Sequence, residues 1–170
     1  MEKRYIKNKE YRGLVSKIGR KILTSNWEPD YVVGITRGGV YPALLLSHYL
    51  TIPMHTLNVS LRDASMSPES NLWMAEDAFG YNMETPKNIL LVDDINDSGE
   101  TFNWIMKDWA SGCLPNDPAW NNIWNNNVKF AVTVDNLASK CNVKMDFIGM
   151  EINKHENPEW IVFPWENWWE

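Results

Sequence analysis

Three carboxylates, Asp93, Asp94 and Asp97, stand close together and run directly into Ser98, Gly99, Glu100 and Thr101. The set combines two kinds of chemistry. Small and hydroxyl residues at the start of a helix present N–H and O–H groups to an anion such as phosphate. Acids beside a bound phosphate make sense if they orient sugar hydroxyls or hold Mg²⁺, directly or through water. A second set lies upstream, at Thr36, Arg37, Gly38 and Gly39. Arg37 is a permanent cation suited to phosphate. The two glycines let backbone N–H groups approach a ligand.

Both sets need the same support. Residues 89–92, Ile-Leu-Leu-Val, read as a strand buried on both faces. Phe102, Ile105, Met106 and Trp109 then recur at helical spacing. The acids therefore fall in a loop between a strand and a helix. Residues 31–35 read as another core strand, and Pro42 fits only the first turn of a helix beginning near Val40. Each bend would sit at the carboxyl end of a strand, where open α/β sheets bind ligands.

The chain has 170 residues, enough for one domain with a real core. Its net charge of −6 argues against general affinity for nucleic acid, which needs a basic face. No apolar run approaches membrane-span length, and the polar start shows no signal peptide. Cys113 and Cys141 form no metal-type cluster and read as free thiols of a reducing cytosol. The chain is therefore expected to be cytoplasmic.

Asn8 is a candidate cap for a first helix with Tyr11, Leu14, Val15, Ile18 and Ile22 on one face. Further strands are expected over residues 54–61, 128–134 and 145–152. His48 and His55 read as structural. Residues 62–86 show no clear period, as a functional lid, a disordered segment or an ordinary surface insertion would; Ser60, Arg62 and Asp63 are the polar residues to watch there. Residues 113–127 are rich in Asn and Trp, with Trp120 and Trp124 four apart, and read as an insertion packed on the fold or on another subunit. Trp168 and Trp169 read as packing or interface residues.

The stretch from Ile89 to Thr101 resembles the ribose-phosphate-binding motif of type I phosphoribosyltransferases: an apolar strand, two acids, two variable residues, Asp, Ser/Thr, Gly, any residue, Thr. Thr36-Arg37-Gly38-Gly39 resembles the pyrophosphate loop of the xanthine-guanine and hypoxanthine-guanine branch. There the peptide before the basic residue can be cis, which implies an unusual Thr36–Arg37 bond. The tail Trp160-Ile161-Val162-Phe163-Pro164-Trp165-Glu166 resembles the C-terminal segment of the same branch.

The resemblance implies a Rossmann-like α/β fold, a single domain over residues 1–170. A mostly parallel sheet would be flanked by helices, under a small hood formed by residues 153–170 and a flexible loop at 62–86. It implies Mg²⁺-dependent transfer from phosphoribosyl pyrophosphate to a purine base by a homo-oligomer. By position, Asp97 would accept a proton and Arg37 would meet the pyrophosphate with Thr36, Gly38 and Gly39. Ser98, Gly99, Glu100 and Thr101 would hold the 5′-phosphate, and Asp93 and Asp94 the ribose and, indirectly, the metal. Trp160 would stack on the base and Ile161 would offer its backbone. The family usually carries a lysine after the strand matching 128–134 that donates to the purine 6-oxo group. Asn136 and Leu137 stand there instead, so Asn136 or Lys140 is the candidate donor. That departure leaves a second expectation, a non-catalytic domain of this fold that senses phosphoribosyl pyrophosphate or nucleotides.

Overall fold

A computed structural model describes residues 1–59, 71–81 and 84–170. In chain order the first elements are β1 (Glu2–Tyr5), α1 (Asn8–Thr24), β2 (Tyr31–Thr36), α2 (Val40–Leu50), β3 (Met54–Asn58) and α3 (Leu72–Phe79). They are followed by β4 (Ile89–Asn96), α4 (Glu100–Gly112), β5 (Val128–Asn136), β6 (Phe147–Ile152) and β7 (Glu159–Val162). Five strands form one parallel sheet in the order β3-β2-β4-β5-β6.

Alternation along the strands divides the core. Tyr31, Val33, Ile35, Ile89 and Leu91 face α3 and α4, whereas Val32, Leu90 and Val92 face α1 and α2. A sheet covered on both sides explains why β2 and β4 each open on an unbroken apolar run, residues 31–35 and 89–92. α1 buries Tyr11, Val15, Ile18, Gly19 and Ile22, a stripe at helical spacing.

The topology also fixes where a ligand can sit. The chain leaves β2 through α2 on one face and leaves β4 through α4 on the other. β2 and β4 are neighbours, paired from Tyr31↔Ile89 to Gly34↔Val92. Their following bends diverge, and such a switch point opens a crevice at the strand ends.

Several expectations need correction. β4 continues through both acids to Asn96, so Asp93 and Asp94 ride on a strand end, not in a loop. Asn8 is the first helical residue; the capping position is Lys7, which makes no side-chain cap bond. The stretch 62–86 is not wholly irregular, because α3 within it buries Met74, Ala75 and Ala78 against the core. Ser60, Arg62 and Asp63, with the rest of 60–70, lie outside the described residues. β5 extends two residues past Val134, and β6 starts at Phe147.

β1 was not expected at all. It pairs in parallel with β7, Glu2↔Glu159 to Tyr5↔Val162, as a separate two-stranded sheet. This pairing ties the tail down over the carboxyl ends of the main strands. In the 113–127 segment a single 3₁₀ turn, Pro118–Asn122, buries Trp120, whose Nε1 donates to the Cys113 carbonyl at 2.9 Å. Trp124 stacks on it with centroids 5.3 Å apart. The segment packs on the fold beneath α3 and α4.

Candidate active site

Gly38 is where the two bends touch. A Cβ there would overlap the Asp94 carboxylate, so any side chain at 38 must displace it. Gly39 is packed as tightly on the other side, where a Cβ would come 2.3 Å from the Val92 carbonyl. The Thr36–Arg37 peptide bond is cis. Thr36 Oγ1 is 3.2 Å from Asn58 Oδ1, which links the bend to β3.

The Asp97 bend is held from beneath by β5. Thr133 Oγ1 donates to the Asp94 carbonyl at 2.6 Å. Asn96 Nδ2 donates to Asp135 at 2.9 Å, and Ser139 Oγ donates to Asn96 Oδ1 at 3.0 Å. Asn136 Nδ2 lies 3.1 Å from the Asp97 carbonyl and 3.2 Å from its Oδ1. The turn closes at Gly99, with φ 91°, a conformation that favours glycine. α4 begins at the next residue, so a helix N-terminus opens beside Ser98 and Thr101, with the Glu100 amide donating to Ser98 Oγ at 3.3 Å.

Together the bends line a cavity of about 1040 Å³. Thr36, Arg37, Gly38, Asp93, Asp94, Asp97, Ser98, Gly99, Glu100 and Thr101 all contribute to it, as do Trp160 and Ile161 from β7. The candidate residues of the two motifs, the tail and the β5 turn are thus brought together, with three exceptions. The Gly39 amide already donates to the Ile35 carbonyl at 2.8 Å, and Gly39 does not line the cavity. Asn136 backs onto Asp97 from behind, and Lys140 does not reach the cavity wall; its amide donates to the Ser98 carbonyl.

A cation in the wall was missed. Lys154, just past β6, places Nζ 2.9 Å from Asp97 Oδ2 and 5.4 Å from the centroid of the Trp160 ring. Nothing in the local sequence marks it. Only the β5–β6 register, Asn136↔Ile152, sets it beside Asp97. Trp165, Glu166 and Trp169 also border the cavity. Trp168, in contrast, is 76% exposed and does not pack into the described fold.

The electrostatics are uneven. Burial first, and Asp94 beside it second, push the Asp93 carboxyl well above the ordinary carboxylate range. Burial also raises Asp94, against the hydrogen bond from the Ile95 amide. Neither acid has an ion pair with Lys or Arg among the described residues. A pair of desolvated acids left uncompensated is suited to a hard cation. No group of three or more His, Cys, Asp or Glu among the described residues could cage one. The donor set therefore fits a Mg²⁺ that takes most of its oxygens from a ligand and from water.

The sequence model of the phosphoribosyl transferase domain matches residues 5–167. The chain belongs to the phosphoribosyltransferase family. Among curated proteins it is 24% identical to the hypoxanthine-guanine phosphoribosyltransferase of Schizosaccharomyces pombe, over 95% of this chain and 88% of that one. Its fold matches the purine phosphoribosyltransferase of Pyrococcus horikoshii with a TM-score of 0.68 at 22% identity, covering 98% of this chain and 96% of that one. The xanthine-guanine-hypoxanthine phosphoribosyltransferase of Helicobacter pylori gives 0.65 at 19% identity, covering 98% and 95%. The fold expected from the acid motif is the fold found. Among the described residues, no helix of this phosphoribosyltransferase is long and apolar enough to cross a membrane.

Proposed function

We propose that this phosphoribosyltransferase transfers the 5-phosphoribosyl group of phosphoribosyl pyrophosphate to a purine base, giving a nucleoside monophosphate and pyrophosphate. The observation that carries the reading is the meeting of the Arg37 and Asp97 bends in one cavity whose further wall is Trp160. Relatives that bear the names of hypoxanthine, guanine and xanthine support a purine acceptor.

Each residue then has a physical task. The amides of residues 98–101, with the hydroxyls of Ser98 and Thr101, hold the 5′-phosphate. Asp93 and Asp94 orient the ribose hydroxyls. Mg²⁺, when bound beside them, supplies positive charge for the pyrophosphate oxygens. Arg37 and the Gly38 amide stabilise the charge that grows on the leaving pyrophosphate as its bond to C1′ breaks. C1′ becomes cation-like, and the base nitrogen forms the new bond from the opposite face. Asp97 takes the proton that nitrogen sheds. Trp160 holds the base by stacking, a contact of about 1–3 kcal/mol, and Ile161 offers backbone groups to its edge. No covalent enzyme intermediate arises.

The sensor reading rested on a missing lysine, and Lys154 supplies an ammonium at the same cavity. Pyrophosphate release tests the proposal. With Mg²⁺ and phosphoribosyl pyrophosphate, the protein turns over at least one of guanine, xanthine, hypoxanthine and adenine, and neither uracil nor orotate. Tight binding of phosphoribosyl pyrophosphate without turnover of any base would establish the sensor instead.

A further inference from the structure

Two hydroxyl side chains lie fully buried behind the acids and outside the cavity wall, Tyr11 on α1 and Thr133 on β5. Thr133 Oγ1 stands 2.6 Å from the Asp94 carbonyl and 3.1 Å from Tyr11 Oη. We infer that Tyr11 and Thr133 are positioning residues, a two-hydroxyl chain that sets Asp94 against Gly38 and thereby the grip on phosphoribosyl pyrophosphate. The inference rests on the phosphoribosyl pyrophosphate reading given above.

The protons of the chain can be placed by elimination. A threonine hydroxyl has one proton to give, and a carbonyl can only accept. The Thr133 proton therefore goes to the Asp94 carbonyl, the nearer partner. Tyr11 Oη must then donate to Thr133 Oγ1. The order is Tyr11 to Thr133 to Asp94, and each hydroxyl is committed in one direction. Buried hydroxyls in such a chain hold one another, because turning either leaves a desolvated group unpaired.

The far end of the chain is rigid. The Tyr11 ring stacks on Tyr41 at 5.8 Å and meets the edges of Phe163 at 5.8 Å and Trp165 at 5.0 Å. Phe163 and Trp165 are themselves stacked, 4.9 Å apart. α1 also presses on the sheet at this level. A Cβ on Gly149 would come 3.0 Å from Leu14 Cβ, and Lys17 Nζ donates to the Gly149 carbonyl at 2.9 Å. With its ring boxed in, Tyr11 cannot follow a shift of Asp94, so Asp94 is held to Tyr11.

The near end is where such a hold is needed. β5 pairs with β4 and with β6 through Val132 and Val134, and the Thr133 row between them is passed over in both ladders. The Thr133 side chain supplies the contact there. Asp94 is also the residue whose carboxylate fills the space beside Gly38. A small movement of its backbone changes the one place where the two substrate-binding bends touch.

The test measures calorimetric binding of phosphoribosyl pyrophosphate with Mg²⁺ to the wild type, Tyr11→Phe, Thr133→Val and Thr133→Ser, each shown to melt cooperatively. Tyr11→Phe keeps the ring and loses the proton, and its dissociation constant rises roughly threefold to tenfold, the size of one hydrogen bond. Thr133→Val leaves both partners unpaired, and the rise is at least about tenfold. Thr133→Ser keeps the hydroxyl and stays within about threefold of the wild type. The KM for the purine that the wild type accepts stays within about twofold throughout, because the aromatic wall is unchanged. Wild-type affinity in both Tyr11→Phe and Thr133→Val, whatever happens to their melting temperatures, would overturn the inference and leave a purely structural contact. If Thr133→Val does not fold, Tyr11→Phe decides alone. A wild type that binds no phosphoribosyl pyrophosphate would instead overturn the proposed function, and this inference with it.

Discussion

Asp97 and Asp93 are both acids of one motif, yet their surroundings set them to different work. Asp97 is half open and held by Lys154 and Asn136. Replacing it with Asn keeps the size and the contact from Asn136 while removing the proton acceptor. Turnover of Asp97→Asn should fall by about 10²–10⁴-fold, the usual worth of a positioned base, with phosphoribosyl pyrophosphate affinity nearly intact by calorimetry. Asp93 is desolvated, and its carboxyl is raised above the ordinary range. In the window from the ordinary carboxylate value up to that raised value, the folded protein holds a proton that the unfolded chain has released. Stability therefore falls as pH rises through the window, and the cost is fully present above it. Asp93→Asn removes that cost and still accepts from the Asp94 amide. Without ligand it should melt roughly 2–4 °C higher at neutral pH, which corresponds to about 1 kcal/mol in a chain of this size. The gain should vanish at a pH below the ordinary carboxylate range, and the variant should bind Mg²⁺ and phosphoribosyl pyrophosphate more weakly.

At the scale of elements, the site is a contact between two strand ends, and Gly38 is its tightest point. Gly38→Ala must push Asp94 aside, because the new Cβ would overlap its carboxylate. Overpacking of this kind costs typically 1–3 kcal/mol, and calorimetry should show at least about tenfold weaker binding of phosphoribosyl pyrophosphate. The segment at 113–127 behaves differently. Trp120 is buried far from the strand ends, and Trp120→Ala should cost about 3–5 kcal/mol of stability in a denaturant titration without moving the KM for either substrate.

These elements also show how much a sequence can reveal. β2 and β4 were legible because strands covered on both faces need unbroken apolar runs, and the motif residues follow them directly. α3 was not, because only Met74, Ala75 and Ala78 of its eight residues are buried, too few to set a period. β1 was hidden for a stronger reason. All four of its residues are exposed, so it is held by backbone pairing with β7 and by the Arg4–Glu159 ion pair, with no buried apolar face to mark it. Lys154 was hidden because it is 57 residues from Asp97 in sequence and meets it only through strand register.

The whole molecule is a parallel sheet whose two diverging bends and tied-down tail enclose one cavity. The cavity's three parts come from widely separated segments, so a ligand that spans them should stabilise the fold as a unit. Phosphoribosyl pyrophosphate with Mg²⁺ at a hundred times its dissociation constant should add about 2.7 kcal/mol to the unfolding free energy. The most direct test of the account is a crystal structure of the protein with Mg²⁺ and phosphoribosyl pyrophosphate. The account predicts one ligand molecule, its 5′-phosphate on the amides of residues 98–101 and its pyrophosphate against Arg37 and Gly38. A ligand bound through the Asp97 bend with its pyrophosphate turned away from Arg37 would contradict it.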